Sequence, residues 1–159
     1  MGHIQKIILL VLLVPLTFFP GGLIIYILFY EQLKFEMLMW VPVGLSLLGI
    51  CSFIFHLKTL KIYKLYETDN VLPRVESLLW ILDVLYGLSS IFVSGSLIYF
   101  IFSISPVKGI NGLFLFILPM FIVGLWTLVE LVYLYNLIRI HKSALRHAAI
   151  DNIRGDFEN

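Results

Sequence analysis

Four long apolar stretches, 7–30, 37–57, 77–104 and 113–138, make up most of the chain, and polar residues gather in the short segments between them and in the tail after 138. Each stretch is long enough, at about 1.5 Å per residue, to cross a hydrocarbon core of about 30 Å, most of them with some tilt. Lipid offers no water to backbone N–H and C=O groups, so such a stretch is predicted to be a helix that satisfies them internally. The expected fold class is all-α: a four-helix transmembrane bundle forming a single integral-membrane domain over 1–159, with 139–159 as a basic helix and tail.

The third stretch is the most polar of the four, and its polarity lies on one side. At about 100° per residue Asp83, Gly87, Ser90 and Ser94 fall in a narrow stripe, while Leu85, Leu88, Phe92 and Tyr99 cover the remainder. A carboxylate near the bilayer interior costs roughly 2.5–3.5 kcal/mol on insertion scales, and Gly and Ser let helix backbones approach closely. This stretch is therefore read as the buried central helix. In the second stretch Pro42, Ser46, Gly49 and His56 share a side, which makes Ser46 and Gly49 further candidates for close packing.

Several breakers punctuate the pattern. Pro15 and the Pro20-Gly21-Gly22 cluster predict a kink or a short unwound turn in the first helix. Its start is read as a spanning helix and not a cleaved leader, since no small-x-small site follows the apolar core. Glu31 to Glu36 forms a charged connector, and Trp40 follows as an interfacial anchor. Glu67-Thr68-Asp69-Asn70 is expected to end the second helix, Leu72-Pro73 to open the third, and 106–112 to form a turn-rich loop. The fourth helix should continue beyond the membrane and fray near Gly155.

Composition agrees with this plan. The 159 residues are 60% hydrophobic and 13% charged, far from the roughly half-apolar, quarter-charged make-up of soluble domains. The net charge of +1 conceals an uneven distribution: nine of the eleven Lys and Arg residues lie before 7, between 58 and 74, or after 138. By the positive-inside rule both termini and the long connector are expected in the cytoplasm, with helices 2 and 4 extended into it. Lys58, Lys61 and Lys64, and likewise Arg139, Lys142 and Arg146, are read as basic faces lying against anionic lipid, at about 1 kcal/mol per charge near the surface. The layout is similar to that of small four-span bacterial membrane proteins in architecture alone, and a bacterial inner (plasma) membrane is the expected location.

Only two acids, Asp83 and Glu130, fall inside the stretches. Each is nine residues from a flanking arginine, Arg74 or Arg139, so each lies roughly 13 Å from the same side of the membrane. The two carboxyls are expected to face one another across a helix contact, as structural glue, as an ion or proton site, or as a dock for a partner subunit's polar group, with Trp126, Thr127 and Tyr133 as nearby partners. His56 and His141 both lie near cytoplasmic helix ends. No HExxH pattern, cysteine pair or adjacent carboxylate is seen to complete a ligand set, so no metal site and no cofactor are expected.

Cys51 is the single cysteine, which excludes an intrachain disulfide and the cysteine pairs of tetraspanins, claudins and thiol oxidoreductases. No acid lies in the first stretch, where small multidrug exporters carry one. With no catalytic set of residues and very small outer loops, the leading expectation is a non-enzymatic accessory, immunity or assembly factor acting through intramembrane helix contacts. The alternatives are an oligomeric channel or proton-linked carrier using Asp83 and Glu130, and a membrane-embedded enzyme acting on lipid or quinone. The expected partners are membrane lipid and either further copies of the chain or another membrane protein, without nucleic acid.

Overall fold

The structure, a computed structural model, describes residues 3–30, 39–65, 75–103 and 111–157. They form four helices: α1 (His3–Tyr30), α2 (Trp40–Leu65), α3 (Ser77–Ser103) and α4 (Asn111–Phe157). All four are long and apolar enough to cross a membrane, as the run lengths require. The protein is a multi-pass, all-α membrane bundle. The expected connector at 31–36, the break at 67–70 and the Leu72-Pro73 opening lie outside the described residues.

Side-chain contacts set the directions of the helices. Gly21 meets Ser46 and Gly49 meets Thr17, so α1 and α2 run antiparallel. Ser52 reaches Asp83 while Lys58 reaches Glu76, which runs α2 against α3. A Cβ on Gly87 would lie 2.8 Å from Leu128, and one on Gly124 would lie 3.1 Å from the Gly87 carbonyl oxygen, so α3 and α4 cross almost backbone to backbone. Phe19 stacks on Phe116 with centroids 3.8 Å apart, and Lys6 reaches Glu130, which closes α1 against α4. The result is an up-down-up-down ring in which α1 packs sparsely on α4.

Two expectations about helix continuity are corrected. α1 is helical from end to end through Pro15, Pro20, Gly21 and Gly22, with no unwound turn at the cluster. Packing against neighbouring helices accommodates the carbonyls that the prolines leave without an N–H donor, and the close contact of Gly21 with Ser46 holds the segment against α2. At the other end of the chain α4 includes Asn111 and Gly112, assigned above to a loop, and passes through Gly155 to Phe157. Its 47 residues correspond to about 70 Å of helix, more than twice the ~30 Å hydrocarbon thickness, so α4 projects well beyond the membrane.

The interior is layered. Leu9, Leu13, Leu16, Leu45, Tyr86, Met120 and Val123 form one apolar cluster, and Phe55, Ile62, Tyr63, Leu79, Leu131, Leu134 and Leu137 form another. Along α3 the ionisable residue Asp83 lies between Leu79 of one cluster and Tyr86 of the other, and along α4 Glu130 lies between Val123 and Leu131. A polar layer is thereby held between two apolar ones.

Candidate functional site

Each helix contributes one ionisable side chain to the polar layer: Lys6, His56, Asp83 and Glu130, all at 0–1% exposure. Helical periodicity places them there. On α1 the buried positions Lys6, Leu9, Leu10, Leu13, Leu16 and Thr17 recur every three or four residues, so the ammonium lies on the inward stripe. On α2 the same spacing aligns Ser52, His56, Thr59 and Tyr63. On α3 it aligns Leu79, Asp83, Tyr86, Gly87, Ser90 and Ser94, and on α4 Val123, Thr127, Glu130, Leu134, Leu137 and His141.

Lys6 Nζ lies at the centre. It donates to Glu130 Oε1 and stands 2.7 Å from His56 Nδ1, above the rings of Phe55 and Tyr63 at 5.6 Å from each centroid. His56 bridges the two acids, with Nδ1 3.4 Å from Glu130 Oε2 and Nε2 3.5 Å from Asp83 Oδ1. Hydroxyls hold the carboxylates from outside the cluster. Ser52 donates to Asp83 Oδ1 at 2.5 Å, and Tyr63 donates to Glu130 Oε1 at 2.9 Å.

Three atoms of this layer have no hydrogen-bond partner: His56 Nε2, Asp83 Oδ2 and Glu130 Oε2. Buried polar atoms are ordinarily paired, so three unpaired ones on neighbouring residues call for an explanation. His56, Asp83 and Glu130 each offer a donor atom, and these atoms lie within 4.8 Å of one another. With both carboxyls ionised, one ammonium leaves a negative charge unmatched. A further proton or cation would balance that charge.

The structure brings Asp83 and Glu130 together and withdraws both from the surface, but it corrects the reading of their surroundings. His56, set aside above because no carboxylate was seen beside it, stands between two. Lys6, read as a flanking charge, is fully buried, and the sequence hides this because the run it precedes is apolar on every face. Thr127 donates instead to the Gly124 carbonyl, and Tyr133 stacks on Tyr63. The hydroxyl on Glu130 comes from α2. What could have revealed Lys6 is its three-residue spacing from Leu9 combined with the presence of two acids at the same depth.

The small-residue positions are used within the chain. Gly87 and Ser90 pack on Gly124 and its neighbours, Ser94 donates to the Ser90 carbonyl, and Ser46 and Gly49 meet α1. Lys58, Lys61, Arg139 and Lys142 remain exposed, whereas the side chains of Lys64 and Arg146 lie outside those described. An open apolar groove of about 400 Å³ runs between α2 and α3 near Trp40, Leu48 and Phe92, and none of the four ionisable residues lines it. Compared with known protein families, with curated proteins and with solved structures, the chain shows no match.

Proposed function

We propose that this protein is a small-cation carrier of the membrane, working in an oligomer and loading its proton or metal ion at the layer formed by Lys6, His56, Asp83 and Glu130. The observation that carries this reading is that His56, Asp83 and Glu130, on three helices, offer donor atoms within 4.8 Å of one another and each keeps a buried atom without a hydrogen-bond partner, beside a resident ammonium. Ionisable groups at membrane depth are functional candidates because burying them is costly. The apolar clusters on both sides favour an occluded site opened by helix movement over an open channel. Sparse packing of α1 on α4 makes α1 the natural moving part. The charge bias supports both termini in the cytoplasm, and the four-span layout suits a bacterial plasma membrane.

Reconstitution into vesicles with an entrapped pH or metal indicator tests the reading. Wild-type protein should dissipate an imposed gradient, and Asp83→Asn or Glu130→Gln should abolish the flux. Flux unchanged in both variants removes the basis of the proposal.

A second reading, an accessory, immunity or assembly factor, draws on the length of α4 and on the exposed Arg139 and Lys142 beyond the apolar core. Stable co-purification with one membrane protein, lost when 139–159 is removed, supports it. An enzyme acting on lipid or quinone is the weakest reading, because the apolar groove and the ionisable layer are separate places.

A further inference from the structure

The structure points to a more specific occupant: we propose that His56, Asp83 and Glu130 are the ligands of a divalent transition-metal ion of the zinc, cobalt, manganese and iron class, and that Lys6 is the tethered cation it displaces. The inference rests on the cluster being a cation site and goes further by naming the ion.

The first argument is how the carboxylates are held. Asp83 has Oδ1 engaged by the Ser52 hydroxyl and Oδ2 unpartnered, and Glu130 has Oε1 engaged by Tyr63 and Lys6 and Oε2 unpartnered. One oxygen of each acid is thus engaged by a hydroxyl, while the other has no hydrogen-bond partner and, in Glu130, stands 3.4 Å from His56 Nδ1. Metal-ligating carboxylates are commonly oriented in this way by hydrogen bonds from an outer layer of residues. His56 adds an imidazole nitrogen, giving three protein ligands from three different helices.

Distance and charge fit as well. Ligands bound at about 2.0–2.2 Å stand roughly 3–3.6 Å from one another, so closing from within 4.8 Å takes only small side-chain rotations. Two carboxylates and a neutral imidazole balance a divalent ion, whereas they exceed a single ammonium by one charge. The donor set selects the class of metal. Imidazole with carboxylates suits zinc, manganese, iron and cobalt, the histidine disfavours magnesium and calcium, and the set contains no thiolate to favour copper(I).

Lys6 is placed to be exchanged. It is the fourth residue of α1, so its long flexible stem starts near the end of the helix and can swing its head toward the membrane surface. Its departure frees His56 Nδ1 and leaves Tyr63 still holding Glu130.

The test is equilibrium binding of Co²⁺ and Zn²⁺ alone to detergent-purified full-length protein, read by the visible ligand-field absorption of cobalt and by dialysis for zinc. One ion per chain is expected, with binding lost in His56→Ala and in Asp83→Asn. Ser52→Ala and Tyr63→Phe, which keep all four charges, should weaken binding by about 10–100-fold. Lys6→Met should tighten it at least about fivefold, the low end of coupling between competing ligands. Circular dichroism and monodisperse elution establish folding for each variant, and the two hydroxyl variants keep the test decisive where Lys6→Met does not fold. No cobalt band in wild type, or equal binding in His56→Ala, overturns the proposal. Proton flux in metal-free vesicles separately reports on the carrier, so a chain that moves protons but binds no cobalt loses only the metal assignment.

Discussion

Lys6 and Glu130, 124 residues apart in sequence, form an ion pair whose side chains are 1% and 0% exposed, joining the first helix of the chain to the last. Because α1 packs sparsely on α4 elsewhere, this pair and the Phe19–Phe116 stack are prominent contacts closing the ring.

Removing one partner of such a pair leaves an uncompensated charge. Lys6→Met is expected to destabilise the bundle by about 3–5 kcal/mol, since Glu130 in the middle of α4 has no route to water. Glu130→Gln should cost less, because Lys6 near the start of α1 can snorkel outward. The double variant should recover part of the loss. Unfolding in mixed detergent micelles, followed by circular dichroism as a double-mutant cycle, measures all three; strict additivity of the two losses contradicts the pairing.

Ser52→Ala removes the hydroxyl that Asp83 Oδ1 accepts from. Interhelical hydrogen bonds in membranes average about 0.6 kcal/mol, so stability should fall only slightly. Flux or metal binding should fall much more, because the carboxylate loses its fixed orientation. A large stability loss in the same micelle assay without loss of activity would assign Ser52 to structure alone.

Gly124 and Gly44 make an internal comparison. A Cβ on Gly124 meets the Gly87 carbonyl and the side chains of Ser90 and Ile91 at 3.1 Å, whereas one on Gly44 meets nothing within 4 Å. Gly124→Val should wedge α3 from α4 at a cost of about 1–3 kcal/mol. Gly44→Ala should stay within about 0.5 kcal/mol of wild type. Equal behaviour of the two in thermal unfolding contradicts the crossing described.

Lys58 and Glu76 pair at 3.5 Å with side chains 52% and 69% exposed. Solvent and salt screen such a pair, so Lys58→Ala should change stability by no more than about 1 kcal/mol and leave activity intact. Comparison with Lys6→Met in the same micelle assay separates the exposed basic face from the buried layer.

Much of the architecture could be read from the chain alone. The number of helices and their approximate ends follow from run length, because a backbone in lipid must hydrogen-bond to itself over about 20 residues. The inward side of α3 was also legible, since Asp83, Gly87, Ser90 and Ser94 differ chemically from everything around them. The same reasoning placed Asp83 and Glu130 at one depth. It failed for α1, whose faces are nearly all apolar and therefore indistinguishable in sequence, and so Lys6 was left outside the site.

What the sequence alone determined is thus the list of spans and the two acids that had to be sheltered, since both follow from the cost of placing polar groups in hydrocarbon. Tertiary structure decided what shelters them. The rotation of α1 and α2 about their axes, which brings Lys6 and His56 inward, depends on small contacts such as Gly21 with Ser46 and Gly49 with Thr17. Those contacts join residues distant in sequence, and helix propensity and hydropathy carry no information about them.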